Sequence, residues 1–344
     1  MTSPDFSLVA NVTDLPAGLV SRPLERTDLP GVLDVMDAHE RLVLAEPMIE
    51  LGDLEADWQR PSFDPRTDTV GVFDGDRLVA YGEVYQARRA EVYVHPDWFG
   101  RGIGTALMRW SWRLVLEAGA DLVGQTVPDG AHDAVDLLRR HGYSPLWTSW
   151  MLELPADQPL PRVQVPAGYA IRSFRPGADE QAAYRVVEDA FNEWPDRDPS
   201  SYGDWAAGVL GRPGFEPWQL FLAVRTDSGD AAEEVVGVCH LVISGESGWV
   251  NQLAVAAPHR GQRLAQALLA VAFAAARERG SPRGELSTDS RTGALGLYEH
   301  IGMQVTEAFT QWVKRLSPQD DAPERGPDAA TAAGSEPAAG LAGG

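Results

Sequence analysis

Two stretches of this chain carry the same pattern about 160 residues apart, and that limits the fold more than any other feature. VYVHPDWFGRGIGTALMRW (92–110) matches LAVAAPHRGQRLAQALLAV (253–271). Phe99, Gly102, Gly104 and Leu107 thereby fall opposite Arg260, Arg263, Ala265 and Leu268. AVDLLRRHGY (134–143) matches ALGLYEHIGM (294–303), and SRPLERTDLPGVLDVMDA (21–38) matches IRSFRPGADEQAAYRVVEDA (171–190). Three matches in the same order mean two copies of one domain. A chain of 344 residues has room for two domains of ordinary size.

The copies are expected over 20–155 and 168–316, joined by a linker at 156–167 within the proline-rich LPADQPLPRVQVPAG. Residues 1–19 are expected to be flexible. Residues 317–344, rich in Pro, Gly, Ala and acid, hold too little apolar surface to build a core and are expected to be disordered. Each copy reads as strand, helices, several strands, helix, strand, helix, strand. In the first copy LVSRPL is a strand, and LPGVLDVMDAHERLVL has helical spacing. TVGVFDGDRLVAYGEVYQ is a hairpin turning at Asp74-Gly75. AEVYV alternates as a strand and GIGTALMRWSWRLVLEAG follows as a helix. In the second copy FLAVRT, EVVGVCHLVIS and WVNQLAV are strands, RLAQALLAVAFAAARER is a helix, and GELST and AFTQWVKRL are closing strands. The fold class is α/β (α+β), with a mixed twisted sheet flanked by helices in each of two tandem domains.

Composition narrows function. Fifty acidic residues against 29 basic give a net charge of −21. That argues against nucleic acid as a partner, because such binding depends on neutralising phosphates. It also argues against an aminoacyl-tRNA-dependent transferase. No run of ~18 apolar residues suggests a membrane span, and the first residues do not read as a secretory signal. One cysteine, Cys239, and no close histidine pair argue against a metal site. Lys314 is the single lysine among the 29 basic residues, a bias that suggests a GC-rich bacterial genome. A cytoplasmic location is expected; the oligomeric state is left open.

The chemistry is expected where a strand meets a helix, at HPDWFGRGIG and APHRGQRLA. Small residues let backbone approach a ligand, and the free N–H groups of a helix start suit phosphate oxygens. Gly100, Gly102 and Gly104 alone would also permit an ordinary tight loop. The wider pattern, Val-x-Pro-x-x-x-Gly-Arg-Gly-x-Gly-x-Ala-Leu after a strand, resembles the acetyl-CoA motif of the GNAT N-acetyltransferases, Arg/Gln-x-x-Gly-x-Gly/Ala. Asp-x-x-x-x-Ala-x-x-Leu-Tyr-Glu-x-x-Gly-Met (289–303) is similar to that family's C-terminal helix and turn. The resemblance covers both copies, a layout found in tandem actinobacterial members.

The resemblance implies acetyl-CoA as cosubstrate and a small-molecule amine as acceptor. It implies cofactor contacts at Val92, Val94, Gly100, Arg101, Gly102, Ile103 and Gly104 in the first copy. In the second it implies Leu253, Ala254 and Val255 on the strand, then Arg260, Gly261, Gln262, Arg263, Leu264 and Ala265. Each copy departs from the motif: Phe99 replaces the Arg or Gln, and Arg263 replaces the first glycine. That arginine would either crowd the pyrophosphate or pair with it. Tyr298 matches the family's general acid, which protonates the departing thiolate. Leu138 stands in its place in the first copy, so the second copy is implied to be catalytic and the first to have lost that role.

A base is harder to find. Relatives place a glutamate where this chain has Trp249. His240, Glu246 and Glu285 are candidates to act through water, and His240 equally reads as a half-buried strand histidine. Arg291 reads as an exposed helix arginine or a phosphate contact. The segment 191–221, with Trp194, Trp205, Trp218, Asp196, Asp198 and Asp204, would either shape a pocket for a cationic amine or pack as a surface loop and helix. Two further readings stay open: a non-catalytic acyl-CoA sensor or scaffold, and an enzyme whose acceptor is a cysteinyl amine on a glucosaminyl-inositol.

Overall fold

The computed structural model describes residues 12–162, 164–194, 197–226, 233–317 and 319–320. Most of the expected tail (321–344), the first 11 residues and Asp196 lie outside them. The first copy runs β1 (Leu19–Arg22), α1 (Leu29–Val43), α2 (Leu51–Trp58), α3 (Pro65–Asp68), β2 (Thr69–Asp74), β3 (Arg77–Tyr85), β4 (Arg89–Val94), α4 (Ile103–Glu117), β5 (Leu122–Pro128), α5 (His132–Arg140) and β6 (Ser144–Leu154). The second runs β7 (Tyr169–Ser173), α6 (Glu180–Phe191), α7 (Tyr202–Val209), β8 (Leu220–Arg225), β9 (Glu234–Ser244), β10 (Ser247–Val255), α8 (Leu264–Glu278), β11 (Arg283–Asp289), α9 (Leu295–His300) and β12 (Gln304–Arg315). The elements follow the apolar periodicity. Gly75, with φ +60°, makes the β2–β3 turn that a side chain would strain.

All twelve strands form one sheet, in the order β1-β2-β3-β4-β5-β12-β6-β11-β10-β9-β8-β7. The copies do not close their own sheets. β12, the last strand of the second copy, pairs antiparallel with β5 of the first. β6, the last strand of the first copy, pairs antiparallel with β11 of the second. The exchanged strands also pair with each other.

The cores follow this exchange. Trp312 and Leu316 pack into the first copy's core with Leu107, Trp112 and Tyr143. Leu152 and Leu154 pack into the second copy's core with Leu268, Phe273 and Leu286. On the other faces, α1 and α2 cover β2 and β3 through Val32, Met36, Leu54 and Trp58. α6 and α7 cover β8 to β10 through Val187, Trp205, Leu222 and Ala254.

The described residues at the inner margins of the two terminal segments are bonded into the fold. Val12 is buried against the first core, and its N–H donates to Ser21 Oγ at 2.9 Å. Asp320 accepts from Ser317 N–H at 2.8 Å and pairs with Lys314 at 2.9 Å.

Strand exchange predicts that the two copies unfold together. Leu152 is 1% exposed and Trp312 5% exposed. Leu152→Ala should cost about 2–5 kcal/mol and Trp312→Ala about 3–5 kcal/mol. Each should lower a single cooperative transition followed by circular dichroism in urea. Two separated transitions, only one of them moved, would contradict this.

Candidate active site

In the second copy β10 and β11 run parallel, but they pair only from Ser247–Val250 to Arg283–Leu286. Beyond that point β10 bonds β9 alone, and Ser287–Asp289 bond β6 alone. The register shifts at Asn251, where the strand bends away. The result is a wedge-shaped gap. Ala256 N–H donates to Val236 O, so Ala254 and Gln252, two and four residues back, also turn their backbone groups toward β9. Leu253 and Val255 turn theirs into the gap. Of the three strand residues expected at the cosubstrate, Ala254 therefore faces away.

The turn after β10 leads into α8 with Gly261 at φ +75° and Arg263 at φ +65°. Arg263 caps the helix in the left-handed conformation that Gly102, at φ +86°, adopts before α4. A side chain there carries a backbone cost that glycine avoids. Arg263 is exposed, beside the unbonded N–H groups of the first turn of α8. Arg260 is already occupied. Its Nε donates to Val255 O at 2.9 Å, and its two terminal nitrogens grip Glu193 at 2.6 and 3.0 Å. His39 Nδ1 makes the corresponding bond to Val94 O, at 3.1 Å, in the first copy. There Phe99 contacts the imidazole edge instead.

Tyr298, 9% exposed, packs from α9 into the cluster holding Cys239, Leu264 and Leu268. Leu253 and Ala265 pack against that same cluster. The strand edge, the helix start and the phenol thus converge. Burial pushes the Tyr298 pKa up to about 12, so the hydroxyl keeps its proton at neutral pH. Leu138 occupies the matching place in the first copy's core.

The three base candidates are scattered. His240, 1% exposed, lies across from Gln252, on the sheet face opposite Tyr298. Asn251 Nδ2 lies 3.3 Å from its Nδ1, and Phe215 meets its ring at a 6.0 Å centroid separation. Burial, helped by Arg212, pushes its pKa down to about 3, so the ring is neutral. Glu246 is exposed in the β9–β10 turn, at the far end of β10, roughly 20 Å from Leu253 by strand rise. Glu285 pairs with Trp249 and Glu153 before the strands part.

The acceptor-side tryptophans and acids do not share one pocket. Trp205 donates to Gln252 at 3.0 Å. Trp218 lies under Arg279 at 3.7 Å and, with His240, lines a cavity of about 390 Å³. Asp204 accepts from Ser62 N–H at 2.9 Å, and Asp198 pairs with Arg88 at 2.9 Å, so both tie the second copy to the first. Glu50 and Gly52 from the first copy complete the 390 Å³ cavity. Arg291 lies in the turn after β11 rather than on a helix. It is bonded to Asp289 at 2.6 Å and lies over the rings of Trp147 and Trp194.

The first copy holds the larger cavity, about 880 Å³. β4 and β5 pair only at Arg89 and Gly124, so their gap opens almost the full length of β4. Val92, Val94, Gly100, Gly102, Ile103 and Gly104 line it as expected, whereas Arg101 turns aside and donates to Asp97 O at 2.9 Å. Glu91 lines it too, with Glu83 directly opposite on β3. Sequence reasoning passed over both. Their signal is a lone acid inside an apolar strand, in YGEVY and in AEVYV, where a charge is costly unless it has work to do.

Comparison with known proteins agrees with this geometry. A model described as the acetyltransferase (GNAT) family matches residues 181–303, and an acetyltransferase (GNAT) domain model matches residues 66–145. A mycothiol acetyltransferase of Thermobispora bispora is 31% identical over 255 residues, covering 70% of this chain and 79% of that one. A solved GCN5-related N-acetyltransferase from Sphaerobacter thermophilus is 31% identical, covers 88% of this chain and 98% of its own, and superposes with a TM-score of 0.70. A tandem GNAT protein from the clavulanic acid biosynthesis pathway, 17% identical, shares the fold at a TM-score of 0.66 over 87% of this chain and 99% of its own. With the repeat, the two parted strand pairs and these matches in agreement, the chain belongs to the GNAT acetyltransferase family, with two such domains in tandem.

Proposed function

We propose that this chain moves an acetyl group from acetyl-CoA to a primary amine of a small molecule, and that Tyr298 serves this reaction in the second copy. The observation that carries the reading is the convergence of the free β10 edge, the start of α8 and a proton-bearing phenol in one cluster. These groups fit the cosubstrate. An unpaired strand edge can bond an extended amide-bearing arm, and a helix start favours phosphate oxygens. Leu253 and Val255 would hold the arm, with Leu264 and Ala265 at the pyrophosphate and the exposed guanidinium of Arg263 alongside.

Acetyl-CoA, when bound, supplies the thioester that the amine attacks. An alkylamine with a pKa near ~10 must first lose a proton. His240, neutral, can hold a water by hydrogen bonding, but its low pKa makes it a poor store for that proton. Tyr298 donates its O–H toward the departing sulfur, offsetting the charge that builds there. The backbone N–H groups of the gap are placed to bind the carbonyl oxygen as it becomes negative.

Tyr298→Phe should lower kcat about 100-fold while leaving acetyl-CoA affinity unchanged. Because its pKa is pushed up to about 12, the wild-type rate should show no descending limb from this group below pH ~10. Unchanged turnover would remove Tyr298 from the mechanism.

Calorimetric titration with acetyl-CoA should give two sites per chain. Ala265→Trp should block one, and Gly104→Trp, which puts an indole into the 880 Å³ cavity, should block the other. Binding without turnover on any amine would make the chain an acyl-CoA sensor instead.

A second reading, mycothiol synthase, is favoured by the name of the relatives. Its acceptor is the cysteinyl amine on a glucosaminyl-inositol. Incubation with that acceptor and acetyl-CoA should then release free CoA and an acetylated product; absence of product would eliminate this version.

A further inference from the structure

The first copy keeps a carboxylate where its cavity needs a base. Glu91 faces the 880 Å³ cavity, and no hydrogen bond occupies its oxygens among the described residues. It neighbours Val92, whose backbone turns into the open β4 edge beside Gly102–Gly104. The repeat aligns Glu91 with Gln252, not with Trp249. Beneath it, Glu83 is 9% exposed and accepts a short hydrogen bond from Tyr81 Oη.

Two carboxylates directly opposite on paired strands repel. Desolvation by the surrounding protein, and for Glu83 the nearby charge of Glu91, hold both above the ordinary carboxylate range, although Glu91 itself is exposed to solvent at the cavity. One proton therefore stays on the pair at pH values where a free glutamate has none. The charged groups around Glu91 are Glu40 on α1, Asp57 on α2, Arg60 just beyond it, and Arg89 on β4. Counting Glu83 and Glu91 themselves, four carboxylates face two guanidiniums, and Arg60 is itself engaged, 3.7 Å from Asp57 with its guanidinium 4.2 Å above the Tyr85 ring. That balance favours a cation, and the aromatic walls favour it further.

We propose that the first copy is a second acyl-transfer site, for a cationic primary amine, with Glu91 as its catalytic base. This rests on the acyltransferase reading. The alkylammonium loses one proton to the Glu91 carboxylate, which passes it to solvent through the cavity. The nitrogen lone pair then forms the C–N bond at the thioester carbonyl carbon. The C–S bond breaks with its electron pair on sulfur, and the second nitrogen proton follows the first to Glu91. Leu138 offers no acid, so sulfur leaves as a thiolate and takes its proton from water. A thiol pKa of ~8.5 makes that tolerable. The net products are the amide, free CoA and one proton.

The test uses the full chain with spermidine as the cationic amine. Calorimetry without acetyl-CoA should show spermidine binding that Glu91→Gln weakens at least tenfold. Tyr298→Phe should retain acetylation of spermidine, with an ascending limb of kcat/KM well above the ordinary glutamate value of ~4.3. Adding Glu91→Gln should remove at least 99% of that residual rate. Adding Asp57→Asn should move the limb to lower pH, because Asp57 is among the charges that raise Glu91.

Stability gives a readout free of catalysis. A carboxyl group raised on folding makes the native state bind more protons, so stability falls as pH rises through the folded pKa. Glu83→Gln should remove part of that fall in thermal melts between pH 5 and 9. If spermidine binding ignores Glu91→Gln and all turnover disappears with Tyr298→Phe, the first-copy site is overturned while the acyltransferase reading stands. If the wild type acetylates no amine at all, both fall.

Discussion

The backbone hydrogen bonds between β5, β12, β6 and β11 join the two copies, and the site geometry depends on them. β6 holds β11 along Ser287–Asp289, the stretch that has parted from β10. The gap in the second copy is thus propped open by a strand from the first. The same strand brings Trp147 over Arg291, which is anchored to Asp289 at the mouth of the gap. On the other side of the sheet, α2 and α7 pack together, and Asp53, Glu50 and Ser62 meet Arg212, Ser244 and Asp204. Neither gap is the work of one copy alone.

Duplication has left the two gaps with complementary chemistry. The second has a protonated phenol, and Asp289, the carboxylate on its parted stretch, is taken up by Arg291. The first has a carboxylate there and leucine in place of the phenol. Each lacks in usable form what the other retains, and the two deficits are not equivalent. A thiolate leaves without help far more readily than an alkylammonium attacks, because the ammonium has no lone pair until its proton is gone. The arginine of one copy and the histidine of the other meanwhile perform one task. Arg260 and His39 both bond the carbonyl at the end of the central strand, Val255 O and Val94 O, and so fix where the turn begins.

The repeat, the element order and the strand-to-helix motif are legible in the sequence, because local periodicity and turn residues encode them directly. Strand exchange is not. The alternation in SPLWTSWMLEL and AFTQWVKRL specifies a half-buried strand, and either copy's open edge would satisfy it. Leu152 and Trp312 are apolar residues of these strands, and only the pairing decides which core receives them. The acids of 191–221 suit either a cationic site or a packed surface segment in the sequence, and Asp198 and Asp204 prove to be fasteners between copies. Glu83 and Glu91 leave only a slight trace, one lone acid in each of two apolar strands, and it is the register that sets them face to face.

The exchange also sets an order of events during synthesis. β5 ends at Pro128 and its outer partner begins at Gln304. At the usual 5–20 residues per second, the ribosome takes roughly 10–35 s to cover that interval. Throughout it, the nascent first copy carries a long strand edge with no mate, and its own last strand has nowhere native to dock. An unpaired edge of this kind invites pairing with any neighbouring chain. Polysomes crowd identical nascent chains together, so the hazard is an open-ended exchange in which one molecule's β12 completes another's β5. The strong net negative charge, −21 over the whole chain, opposes such meetings by keeping like chains apart.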